Sequence, residues 1–112
     1  MDFIATLVLL TNQARSTPLT VDKYLTKFAE VRAERACTDF SHKGFYEAWA
    51  KSPARYNYGG ENLVKDFQTA NAAHGALMAS VTHKENILRK EYRRVGAARA
   101  KSCNAYAVIF SN

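Results

Sequence analysis

The chain has 112 residues, 47% of them apolar and 23% charged, which is the balance of a globular protein and excludes a disordered or fibrous one. At this length roughly two-thirds of the unfolded surface can be buried, so a single domain over residues 1–112 needs neither structural zinc nor a dense disulfide framework. The formal charge of +6 directs attention to phosphates, acidic polymers and anionic surfaces as partners without choosing among them.

The opening MDFIATLVLL is apolar but stops at Thr11, short of the ~20 residues needed to span a bilayer. It also lacks the basic n-region of a signal peptide, so either the protein stays inside the cell or its export signal lies outside these residues. Phe3, Ile4, Leu7, Val8 and Leu10 follow helical spacing and predict a buried first helix over residues 2–14, broken at Ser16, Thr17 and Pro18. Thr20 is the expected N-cap of a second helix, with Asp22 in its first turn against the dipole. Tyr24, Leu25, Phe28, Val31 and Ala36 form its apolar stripe, Lys27, Glu30 and Glu34 its outer face, and it ends near Cys37.

From residue 38 to 60 the chain is aromatic and punctuated by Gly44, Pro53, Gly59 and Gly60, a structured loop with a short helical turn at Phe45, Tyr46 and Trp49. A short extended segment is expected to begin at Glu61. Phe67, Ala70, His74, Leu77, Met78 and Val81 then mark the inner face of a third helix that runs into THKENIL, residues 82–88, and stops there. The runs 92–100 and 104–110 are β-prone and separated by Lys101, Ser102 and Cys103, which predicts a closing hairpin. Tyr106, Val108 and Phe110 are apolar, and so are Ala105, Ala107 and Ile109, so the last strand should be covered on both faces. The architecture is α+β, helices packed over a small antiparallel sheet.

Cys37 and Cys103 allow one disulfide or two buried thiols, and the sequence leaves both open; neither has CxxC or zinc spacing. Three histidines carry the candidate chemistry: His42 in DFSHKGF, His74 in the third helix and His83 in THKENIL. An imidazole in a cleft binds a divalent metal or moves a proton near neutral pH, but these three are too far apart in sequence for a local metal motif. His74 lies on the apolar stripe and reads as a core or edge histidine. Ser41 and Ser80 neighbour histidines without a nucleophile elbow. Arg89, Lys90, Arg93, Arg94, Arg99 and Lys101 form a basic stripe opposed locally only by Glu91, which reads first as a solvated face. Nucleic-acid binding, with Tyr56, Tyr58 and Tyr92 as stacking partners, is disfavoured because no helix-turn-helix, zinc or RNA-recognition motif accompanies the charge.

The order of motifs is more specific than any one of them. N-x-x-R spans Asn12 to Arg15, P-L-x-x-D-x-x-L-x-x-x-A spans Pro18 to Ala29, and FSHKGF, GGENL and S-x-x-H-x-x-N-I-L follow, before a strand with Gly96 and a last strand with Tyr106 and Phe110. This arrangement resembles the CAP superfamily (cysteine-rich secretory proteins, antigen 5 and pathogenesis-related 1 proteins) in its short bacterial branch. The resemblance implies a three-layer α-β-α sandwich and an extracellular or cell-envelope location. It implies a cleft lined by His42, Glu61 and His83, an incomplete form of the eukaryotic ligand tetrad able to hold a divalent cation such as zinc or calcium. Asn86, Ile87 and Leu88 would be structural, the amide fixing loop backbone where the helix stops. The chain departs from the family in having Leu77 where tryptophan is usual, Ser80-Val81-Thr82-His83-Lys84 in place of S-P-G-H-R, and no second glutamate near Ser80. The expected function is a binding domain without established catalysis. The alternatives are a metal-assisted, peptidase-like hydrolase using the same cleft and a basic surface for nucleic acid or an acidic cell-surface polymer.

Overall fold

A computed structural model describes residues 2–52 and 58–112; Pro53 and Tyr56, named above, lie outside them. In chain order the elements are α1 (Phe3–Ala14), β1 (Thr20–Val21), α2 (Lys23–Ala36), α3 (Phe45–Ala50), β2 (Gly59–Lys65), α4 (Ala70–Met78), α5 (Val81–Leu88), β3 (Arg94–Arg99) and β4 (Ala105–Ser111). The strands form one sheet in the order β1-β3-β4-β2. Both neighbours of β4 run antiparallel to it, while the two-residue β1 adds a parallel edge to β3.

The apolar alternation along β4 sets the layers. Tyr106, Val108 and Phe110 face α1, α4 and α5, where Leu7, Leu77, Ile87 and Val95 join them; the Phe3 ring stacks on Tyr106 at 3.9 Å. Ala105, Ala107 and Ile109 face α2 and α3, with Leu25, Phe28, Ala29, Ala33 and Ala36. Helices on both faces make the expected α-β-α sandwich. The α2 side is small against small: a Cβ on Gly96 would fall on the backbone of Leu25 and Thr26, so only glycine lets the helix lie this close to the sheet.

Several local expectations change. Thr20 is a strand residue, and Asp22 is the N-cap of α2, accepting from the backbone N–H groups of Tyr24 and Leu25. The buried face of α2 is rotated from the expected stripe: Tyr24 and Val31 are exposed, and Arg32 is buried. The third helix is two helices. Ser80 takes extended dihedrals after Ala79, and its carbonyl accepts from Lys84 as α5 begins, so THKENIL is a helix of its own rather than the end of a longer one. His83 is therefore the third residue of α5, near a helix N-terminus instead of a C-terminus. The helical turn at Phe45 is the six-residue α3, whose preceding Gly44 sits at φ 83°.

The question left open by the two cysteines is answered by a Cys37–Cys103 disulfide, joining the end of α2 to the turn between β3 and β4. The N-x-x-R motif has a structural task. Asn12 accepts from the Leu19 N–H at 2.8 Å and donates to its carbonyl at 3.2 Å. The Arg15 guanidinium donates to the carbonyls of Ile87, Arg89 and Tyr92 at 2.8, 2.9 and 2.7 Å, satisfying backbone groups freed where α5 ends.

Candidate functional site

The pleat of β2 distributes its polar residues. Glu61 pairs with Ile109 and so faces α2; Asn62 pairs with Val108 and faces α5. Both are buried. On the α2 side, Arg32 meets the Glu61 carboxylate in a two-pronged ion pair, Nε to Oε2 at 2.5 Å and Nη2 to Oε1 at 3.0 Å, with side chains 3% and 2% exposed. The third partner is His42, whose Nδ1 lies 2.8 Å from Oε1. Arg32 and Arg35 also donate to the Lys43 carbonyl, at 3.2 and 3.1 Å, so α2 holds the FSHKGF loop that presents His42.

On the α5 side, Asn62 donates to the His83 carbonyl at 3.1 Å, and Asn86 donates to the Asn62 side chain at 2.8 Å and the Glu61 carbonyl at 3.2 Å. Asn86 does act structurally, as expected, but it ties α5 to β2 instead of holding a helix stop. Between these two fastenings lies a cleft of about 290 Å³. Gly59, Gly60 and Glu61 form its floor, His42, Phe45 and Tyr46 one wall, and Asn86, Arg89 and Tyr92 the other. The Arg89 guanidinium lies 5.5 Å from the Tyr92 ring and 6.0 Å from the Tyr58 ring. Burial raises the Tyr92 hydroxyl pKa, with Arg89 pulling the other way.

His42 and Glu61 are thus brought together. His83 lines an adjoining groove with Phe40, Leu63, Phe67 and Ser80. Its pKa lies below the usual imidazole value, first through burial and then through the nearby charge of His42. A position in the first turn of α5 adds to this, because the helix dipole there opposes an imidazolium. His74 is half-buried in α4 and does not line the cleft; its Nδ1 is buried without a hydrogen-bond partner, and burial lowers its pKa.

As placed, the expected metal donors do not make a ligand set. Among the described residues no group of three or more His, Cys, Asp or Glu side chains is arranged to hold a metal ion. Both Glu61 oxygens contact Arg32, and one also contacts His42, so a cation at that carboxylate would sit against a guanidinium. Ser41 is not directed at His42: it donates its hydroxyl to Asp39 at 2.8 Å. The basic stripe is divided, since Arg99 and Lys101 share a groove with Glu30 and Glu34 on α2, away from Arg89 at the cleft. There the Ser102 hydroxyl and the Lys101 backbone N–H hold the Glu34 carboxyl below its usual pKa.

Sequence reasoning missed Arg32. Its signal was position: it lies among Ala29, Ala33 and Ala36 on the small-residue face of α2, where a cation is buried only if something across the interface pairs with it.

A four-stranded sheet between two helical layers, with a His–Glu pair beside its β2 edge, defines a CAP-type α-β-α sandwich. The sequence profile of the cysteine-rich secretory protein family (CAP) matches residues 11–111, and the chain belongs to that family. No curated protein matches it significantly. Among solved structures it is similar to an extracellular protein containing an SCP domain from Bacillus anthracis, with TM-score 0.86 and 19% identity over 97% of this chain and 40% of that one. A cysteine-rich secretory protein from Staphylococcus aureus gives TM-score 0.83 and 20% identity over 96% of this chain and 38% of that one. An outer surface protein from Borrelia burgdorferi gives TM-score 0.85 and 21% identity over 96% and 90%. The chain therefore spans about two-fifths of the first two proteins, and identities this low establish the shared fold alone. Among the described residues no helix is long and apolar enough to cross a membrane.

Proposed function

We propose that the chain is an extracellular or envelope-associated binding domain that receives its ligand in the cleft over His42 and Glu61 and does no chemistry of its own. The observation that carries this reading is the locking of Glu61. A carboxylate whose two oxygens are both held by a buried arginine, and one of them also by His42, has neither oxygen left open to a water, while it is well suited to hold His42 in one orientation. The similar proteins described as extracellular or outer surface proteins support the location.

The test is a backbone-amide NMR titration with three probes of different charge: the tetramer of N-acetylglucosamine, hexalysine and hexaglutamate. Shifts clustered at Gly59, Gly60, Glu61, Asn86 and Arg89 with at least one probe support a binding cleft; no response there to any of them removes it. Turnover of peptide or cell-wall fragments that vanishes in Glu61→Gln would replace binding with hydrolysis. The divalent cation suggested by the family resemblance would require Arg32 to release Glu61. Zinc and calcium titrated against wild type, His42→Ala and His83→Ala decide this point, and identical responses in all three take the ion out of the site.

A further inference from the structure

We infer that Arg32 serves as the built-in cation of the cleft, and that the cleft takes an oxyanion, a carboxylate or phosphate group of its ligand, without a metal ion; this rests on the cleft being the binding site. Among the described residues Glu61 is the single acidic residue lining the cleft, and its charge is matched by a guanidinium equally hidden from solvent. Apart from the Asn86 Oδ1 acceptor, the polar side chains facing the space offer donors or cations. Arg89 supplies a guanidinium, while Tyr46 and Tyr92 supply hydroxyls. The amide N–H groups of Asn86 are turned to Glu61 and Asn62 and are taken up there.

His42 completes the set. Its Nδ1–H donates to the Glu61 carboxylate, and the side chain is 58% exposed where it lines the cleft. With an anion in the cleft, Glu61 holds the His42 ring from behind at Nδ1. The floor is also kept clear. A Cβ at Gly60 would lie 2.5 Å from the Tyr92 hydroxyl oxygen and 2.9 Å from Asn86 Oδ1, so a side chain there would fill the space beneath the Tyr92 hydroxyl. Glu91 reaches Arg89 at 3.5 Å, but both groups are about half exposed, and such a pair is weak enough for a ligand to displace.

The experiment titrates the whole chain with hexaglutamate and, separately, with a glycerol-phosphate hexamer, each with EDTA and with added zinc, following backbone amides. Both or either should shift Gly59, Gly60, His42 and Asn86, equally with EDTA or zinc, and the tighter of the two identifies the oxyanion. Arg89→Ala, a change at an exposed side chain, should weaken binding about tenfold, the loss of one charge-assisted contact. Anion-induced shifts confined to Arg93, Arg99 and Lys101 would overturn the inference, as would a cleft response that needs zinc. A cleft that responds to hexalysine or the sugar tetramer and not to the anions would also overturn it, while leaving the binding-domain reading intact.

Discussion

Replacing Arg32 by methionine tests the buried pair on which the cleft is built. The substitution keeps much of the side-chain volume but leaves the Glu61 carboxylate, 2% exposed, with only His42 beside it, and the Lys43 carbonyl loses a donor. Removing one member of a buried ion pair costs about 3–5 kcal/mol, because the remaining charge stays desolvated without compensation. For a domain with a total stability of about 5–15 kcal/mol this is a large fraction. With a urea m-value of about 2 kcal/mol/M, the denaturation midpoint should fall by roughly 2 M.

The double substitution Arg32→Met with Glu61→Met removes both charges and should recover much of the loss, since apolar replacement of a whole buried pair is often close to neutral. A coupling energy of about 2–3 kcal/mol from the complete cycle is expected. If Arg32→Met alone cost less than ~1 kcal/mol, or if the double variant lost the sum of the two single effects, the pair would not be the desolvated, mutually dependent unit described here.

Cys37 and Cys103 are 66 residues apart, so replacing both by serine should cost about 4 kcal/mol through the freed denatured chain, read from urea denaturation; a cost below ~1 kcal/mol would contradict that origin. Arg15→Ala removes three guanidinium contacts to the carbonyls of Ile87, Arg89 and Tyr92, and should cost about 2–4 kcal/mol. Amide hydrogen exchange should speed up around the end of α5 in that variant, and unchanged exchange there would refute its capping role. Gly96→Ala drives a methyl into the α2 backbone and should destabilise by about 1–3 kcal/mol, measured by thermal unfolding; a neutral result would mean α2 does not rest on β3 this closely. For His74 and His83, burial lowers the folded pKa, so as pH falls below about 6.5 the unfolded chain binds protons first and stability drops, levelling off below the folded values. His74→Leu should stabilise by about 1 kcal/mol at neutral pH and flatten that acid slope, as read from urea midpoints between pH 5 and 8; parallel profiles would refute it.

The last strand was legible because both of its alternate faces are apolar and only a covered strand accommodates that. The first helix was legible for a similar reason, with an apolar run at helical spacing ending at a Ser-Thr-Pro break. The break between α4 and α5 was not. Val81 continues the apolar period four residues after Leu77, and no proline or glycine stands at Ala79 or Ser80, yet Val81 is 73% exposed. Periodicity reports which residues could share a face, whereas the change of direction at Ser80 is set by tertiary packing of two short helices. The buried face of α2 failed for another reason. Counting Tyr24 and Val31 as core weights residue size, but the opposing sheet presents Gly96, Ala98 and Ala107, and a surface of small residues selects alanines from the helix.

The candidate site shows the same limit in sharper form. His42 and Glu61 could be picked out by motif order, but the residue that determines their chemistry could not, because Arg32 is 29 positions from Glu61 and carries no motif. What joins them is the pleat. With β2 in register against β4, odd-numbered Glu61 faces the alanine side of α2, and even-numbered Asn62 faces α5. A slip of one residue would exchange them, putting a carboxylate among the amides of α5 and an amide against a buried guanidinium. Register and site are therefore one constraint. The Arg32–Glu61 pair penalises the slipped sheet at the same position where it anchors His42, so a loss of pairing between β2 and β4 would dismantle the cleft.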